Sequence, residues 1–212
     1  MTSGYESTIW NYFIGKIGNE FGVAGLMGNL YAESGLYPNN LQNTFNESLG
    51  MTDQEYTRGV DTGSYTNFIN DGAGYGLAQW TYSSRKLGLY NLWEYGVSLG
   101  IYSSISNIEL QCEYLWWELE NDFPGVLKIL KEAKSIREAS NSVLHDFENP
   151  KVQTTAVEVQ REKYSIIYYE LYVGSYDGGS DPSVTTKNKR KHYNFTLFNH
   201  RRRKQWTKGQ MH

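Results

Sequence analysis

Apolar residues recur at helical spacing through most of residues 6–174, and that pattern breaks only once, over about 40 residues. Residues 6–20 form a first helix candidate. Val23, Leu26, Met27 and Leu30 follow at i, i+3, i+4 and i+7, an apolar stripe on a second helix that Gly35 can stop. From Gly35 to Gly76 turn chemistry takes over: Pro38-Asn-Asn, Thr62-Gly-Ser and Asp71-Gly-Ala-Gly. Thr52 with Glu55 makes a capping box for a short helix inside that stretch. The run from Tyr75 to Thr81 reads as a short strand or hairpin arm, in which alternation puts Tyr75, Leu77 and Gln79 on one face and Trp80 on the other.

Helical spacing then resumes. Ser84 can start a helix to about Tyr95. Ser106 with Glu109 reads as a second capping box, for a helix striped by Ile108, Cys112, Leu115 and Leu119. Pro124 suits the first turn of a helix over 124–133, and Ser135 with Glu138 caps one over 136–147. Pro150 is expected to open a last helix with Val152, Ala156, Val159 and Ile166 on its inner face and Gly174 near its stop. The expected architecture is a mainly α, helical-bundle domain over 1–174 with a small early β-hairpin segment. An interruption of this length is usually functional.

Charge divides the chain as well. Residues 175–212 hold nine basic residues against Asp177 and Asp181, a net +7, which leaves 1–174 at −10 out of a total of −3. The break falls in the Gly- and Ser-rich run after Gly174, which reads as a flexible linker into a disordered basic tail. KNKRKH and HRRRK could meet nucleic acid or another polyanion, but a solvated tail without a dedicated partner is the favoured reading. The acidic body argues against a nucleic-acid binder as a whole.

Several chemistries are excluded by what the chain lacks. One cysteine, Cys112, allows no internal disulfide and no redox pair. The four histidines are scattered, and no HExxH motif, Cys/His cluster or Walker loop occurs, so no metal and no organic cofactor is expected. Ser34 has no neighbouring histidine to act as a base. The opening residues resemble no signal peptide, and no run of 18 apolar residues could span a membrane. Aromatics make up 15% of the chain, with 18 Tyr and 6 Trp, which suits either a sugar-meeting groove or a Tyr-rich core.

One carboxylate stands out. Leu26, Leu30 and Glu33 lie at spacings of four and three, which puts Glu33 on the apolar face and in the last helical turn. Burial and the helix dipole there both favour the protonated acid, which could donate a proton to a leaving oxygen. The bland alternative turns Glu33 outward at a frayed end or pairs it with Arg85. Tyr37 follows directly, and Tyr75, Gln79 and Trp80 offer aromatic and amide contacts about 40 residues on, among glycines that admit a ligand closely.

Ala-Glu33-Ser-Gly-Leu-Tyr-Pro-Asn followed by Gly74-Tyr-Gly-Leu-Ala-Gln79-Trp-Thr resembles the phage tail lysozyme family. More distantly it is similar to goose-type lysozymes and soluble lytic transglycosylases. The resemblance spans roughly residues 5–172 and is strongest over 22–86. It implies an α+β lysozyme-like fold and cleavage of the β-1,4 bond between N-acetylmuramic acid and N-acetylglucosamine in peptidoglycan. Glu33 matches the family's catalytic acid and Gln79 its cleft glutamine; Tyr75, Trp80 and Tyr37 are expected as further substrate contacts from the residues themselves. The Ala-Tyr-Asn-x-Gly element of the transglycosylases is missing.

Hydrolysis with two carboxylates needs a partner for Glu33, about 5–5.5 Å away as a nucleophile or about 6.5–9.5 Å away as a base. Among Glu47, Asp53, Glu55, Asp61 and Asp71 the favoured partner is Asp71, at the head of the Gly-rich strand. An Asx turn there is the competing role. If no acid lies close, the substrate's N-acetyl or 6-hydroxyl group takes over, as in a lytic transglycosylase. A non-catalytic wall-binding module is the alternative from another class. The expected partner is bacterial peptidoglycan and the expected state a monomer. The protein would reach the wall by holin release, as an endolysin does, or on a phage tail or secretion machine.

Overall fold

The computed structural model describes residues 4–150 and 153–176. Among them the chain is mainly helical: α1 (Glu6–Ile17), α2 (Glu20–Ser34), α3 (Asn43–Leu49), α4 (Asp53–Asp61), α5 (Ser83–Ser98), α6 (Ile108–Asn121), α7 (Pro124–Glu132), α8 (Ile136–Ser142), a π-helical segment (Val143–Glu148) and α9 (Thr155–Tyr172). The basic tail expected from 175 lies, from 177 on, outside the described residues.

Helix α2 is the axis of the bundle. It is buried without a break from Gly22 to Leu30, and α1, α7, α8, α9 and the π segment all pack on it. A helix buried on every side needs small residues wherever neighbours come close. A Cβ on Gly22 would lie 1.9 Å from the Leu130 carbonyl oxygen, and one on Gly28 would lie 2.4 Å from the Ser165 backbone nitrogen. So α7 and α9 approach α2 to backbone contact. Asn19 caps α2 by accepting from Phe21 N–H at 3.0 Å, while its amide donates to the Lys131 and Ala133 carbonyls at the end of α7. Gly35 ends the helix in the left-handed region.

Several sequence expectations need correction. Among the described residues no β-hairpin forms between 75 and 81. Two isolated bridges, Leu41 with Tyr75 and Tyr75 with Trp80, are all that pairs there. Positive φ angles at Gly76 (75°) and Gln79 (44°) curl residues 76–79 into a turn that Tyr75 and Trp80 close, so strand alternation does not apply. The cap of α6 is Asn107, whose side chain accepts from Leu110 N–H at 2.9 Å, whereas Ser106 Oγ bonds Ser104 Oγ. The last helix starts at Thr155 rather than Pro150. Its inner face holds Arg161, Ser165 and Tyr168, and Val159 is exposed.

Candidate active site

The end of α2 and the turn over 74–80 are bonded together. Ser34 Oγ lies 2.9 Å from the Leu77 carbonyl oxygen and 3.1 Å from that of Leu30, so its one proton is shared between helix and turn. Two successive left-handed residues, Gly35 and Leu36, then swing the chain outward, which leaves Tyr37 exposed against Gly35. Gln79 donates its amide to the Asn40 carbonyl at 3.0 Å and to Asn40 Oδ1 at 2.9 Å, and Gly76 N–H donates to the same carbonyl at 2.9 Å. Segments 38–42 and 74–80 are therefore fastened to each other beside the end of α2.

Glu33 faces a cation on α9 instead of Arg85. Arg161 donates one guanidinium nitrogen to Glu33 Oε1 and another to the Asn29 carbonyl at 2.7 Å. The carboxylate side chain keeps 22% of its accessibility and the guanidinium 11%, so the pair sits at a rim. Beside it lies a depression of about 410 Å³ lined by Tyr31, Ala32, Gly35, Pro150, Arg161 and Tyr164, among others. The Tyr31 and Tyr164 rings meet edge to face there at 4.8 Å.

The other residues singled out from the sequence are dispersed. Asp71 is sealed, with 2% of its side chain accessible, and accepts from Lys86 Nζ (2.6 Å), Tyr56 OH (2.5 Å), Tyr65 OH (3.0 Å) and Ala73 N–H (2.9 Å). A carboxylate has about four acceptor sites, so these donors fill Asp71, which braces the turn from beneath. Tyr75 and Trp80 are wholly buried. Tyr75 OH bonds Thr57 Oγ1 at 2.7 Å, and Trp80 Nε1–H donates to Glu118 Oε2 at 2.8 Å. Both rings support the turn from inside and present no face to a ligand. Much of the aromatic content is thus core: Tyr56, Phe68 and Tyr75 form one cluster.

Four residues that sequence reasoning passed over shape this region. Arg161 holds Glu33. Glu118, fully buried, takes a bidentate pair of bonds from Arg85 at 2.6 and 2.9 Å besides that of Trp80. Gln111, also fully buried, accepts from Leu77 N–H at 2.9 Å and donates to the Pro38 and Ile105 carbonyls at 2.6 and 3.0 Å. Glu148 ends the π segment, a rare conformation that recurs at functional sites. Desolvation, reinforced by Glu33, pushes its carboxyl up to about 8, against the opposing pull of Arg85 and Arg161. The signal in the sequence was helical spacing of polar residues, as in Arg161, Ser165 and Tyr168 at intervals of four and three, which a search for apolar stripes does not weigh. Among the described residues no cluster of three or more His, Cys, Asp or Glu could hold a metal ion, and no helix is long and apolar enough to cross a membrane.

Fold and site together define a mainly helical domain that presents a carboxylate–guanidinium pair at the end of its central helix, against a braced, glycine-rich turn. The family model for phage tail lysozymes matches residues 5–172, and the chain belongs to that family. Membership brings a lysozyme-like action on peptidoglycan. No curated protein and no solved structure matches the chain.

Proposed function

We propose that the protein cleaves the β-1,4 bond between N-acetylmuramic acid and N-acetylglucosamine, with Glu33 as the general acid. The observation that carries this is the pairing of Glu33 with Arg161, which lines the depression, at the end of the helix that Ser34 fastens to the turn. Glu33 gives its proton to the leaving glycosidic oxygen, Arg161 steadies the carboxylate that remains, and Tyr37 and Gln79 meet the glycan from the turn side. Tyr75 and Trp80 support that turn from below.

A second reading is a lytic transglycosylase that leaves 1,6-anhydro ends. Its support is the state of Asp71, whose four acceptor positions are taken, so that an attacking group from the substrate itself becomes the simpler partner for Glu33. Mass spectrometry of the released muropeptides separates the two, since hydrolysis leaves reducing ends. Glu33→Gln tests both against a non-catalytic wall-binding module. The variant is expected to bind walls, keep its fold and release no muropeptides. Full lysis by Glu33→Gln would remove this acid from the chemistry. Delivery to the wall on a phage particle fits the family; an endolysin route through a holin is the other option.

A further inference from the structure

Beside the Glu33–Arg161 pair, one charged group lacks the partner that its burial demands. Glu148 Oε1 is cut off from water and has no hydrogen-bond partner. The charged groups that face Glu148 come from four helices: Glu33 on α2, Arg85 on α5, Glu118 on α6 and Arg161 on α9. On its own segment, His145 is engaged by Gln153 and Glu158, and Asp146 lies 3.4 Å from Ser142 Oγ.

The charge count around Glu148 is unbalanced. Arg85 is spent bidentately on Glu118. Three carboxyls, Glu33, Glu118 and Glu148, thus share two guanidiniums, and Arg161 bonds Glu33 and the Asn29 carbonyl. One positive charge balances one carboxylate. The carboxyl left over, Glu148 with its Oε1 cut off from water, stays comfortable only if it carries a proton. The placement agrees: α2 packs on the π segment, and Gly35 and Pro150, each two residues beyond its glutamate, line the same depression.

We propose that Glu148 is a positioning acid for Glu33: the two carboxyls and Arg161 act as one unit that retains one proton at neutral pH. Glu33, the partly exposed member, delivers the proton, and Glu148, whose Oε1 is cut off from water, keeps it in the unit between turnovers. The balance closes in either chemistry. The leaving oxygen takes the proton, and the attacking water or the substrate's 6-hydroxyl returns one. This rests on the lysozyme reading for its role in turnover, but the shared proton is a property of the resting protein.

The test therefore begins without turnover. Carboxyl NMR of the full chain labelled at glutamate side chains, titrated with pH, should show one carboxyl of the unit still protonated at pH 7, and Glu148→Gln should abolish that signal. In wall-lysis assays Glu148→Gln should shift the alkaline limb of the kcat/KM profile about one pH unit or more towards acid and lower kcat at pH 7 by about tenfold, with KM unchanged. Both carboxyls ionised below pH 5 in the unaltered protein would overturn the proposal, and so would an unmoved pH profile in a folded Glu148→Gln. The NMR result stands whether or not Glu33→Gln lyses walls, so loss of the lysozyme reading and loss of the shared proton are told apart.

Discussion

Lys86 Nζ sits 2.6 Å from Asp71 Oδ1, and both side chains are buried. The ammonium also donates to the Ala73 carbonyl at 2.9 Å and lies 4.4 Å above the Phe68 ring. Burial pulls Lys86 below its ordinary pKa and Asp71 opposes the fall. Removal of Lys86 leaves a buried carboxylate without its counter-charge. Lys86→Met is thus expected to cost about 3–5 kcal/mol in urea denaturation. The double variant with Asp71→Asn should recover part of that, because no charge is left behind. A cost for Lys86→Met no larger than that of an exposed ion pair would show that the bridge opens to water.

Gln111 joins three loops through one side chain: Leu77 N–H, Pro38 C=O and Ile105 C=O. Gln111→Leu fills similar space and leaves these backbone groups without their partner. The expected loss is about 3 kcal/mol or more. Because Leu77 also accepts from Ser34, the neighbour of Glu33, kcat/KM on cell walls should fall further than stability alone explains. Thermal melts paired with turbidity assays at a temperature well below Tm would check this.

What the sequence made legible followed from local rules. Gly35 stops α2, Pro124 opens α7, and the Thr52–Glu55 capping box forms with both of its bonds. Glu33 could be placed at the end of α2 because Leu26 and Leu30 set the face. Tertiary context decided the rest. The inner face of α9 could not be found from hydrophobicity, since it is chosen by the glycines of α2, which admit Ser165 to backbone contact, and by Arg161, which finds Glu33 and the Asn29 carbonyl 132 residues away in sequence. The Ser106–Glu109 spacing missed the cap of α6 by one residue, because the Asn107 side chain is the one that reaches Leu110 N–H. Strand alternation over 75–80 failed because φ is positive at two of its residues.

Gly28 is where α9 meets α2, so its substitution acts on the site from a distance. A Cβ there would lie 2.1 Å from Ser165 Oγ and 2.4 Å from Ser165 N, and the backbone cannot yield as a side chain could. Gly28→Ala must push the helices apart. It should destabilise the fold by about 1–3 kcal/mol and draw Arg161, one turn before Ser165, away from Glu33. Activity should therefore drop more than for Gly15→Ala, where a Cβ meets nothing within 4 Å. Equal effects of the two substitutions on melting and on lysis would show that α2 and α9 are not locked together.

His145 supplies a pH dependence whose sign follows from geometry. Its two ring nitrogens face acceptors: Nδ1 lies 2.9 Å from Gln153 Oε1 and Nε2 lies 3.0 Å from Glu158 Oε1. Gln153 is itself turned by its amide bond to Asn149 Oδ1 at 2.8 Å. Only the imidazolium donates to both, so the Gln153 bond first and the Glu158 contact next raise the pKa above 6.5, against some desolvation. A raised pKa means that the folded chain binds the proton more tightly than the unfolded one. The contribution is complete below the unfolded value and is lost as pH climbs through the folded one. The clamp ties the π segment to the start of α9, the two elements that place Glu148 and Arg161. In Tm measurements across pH, the unaltered protein should exceed His145→Gln at pH 5–6, and the gap should close on the alkaline side of 6.5. A gap that widens with pH instead would mean that the neutral ring is the bonded form.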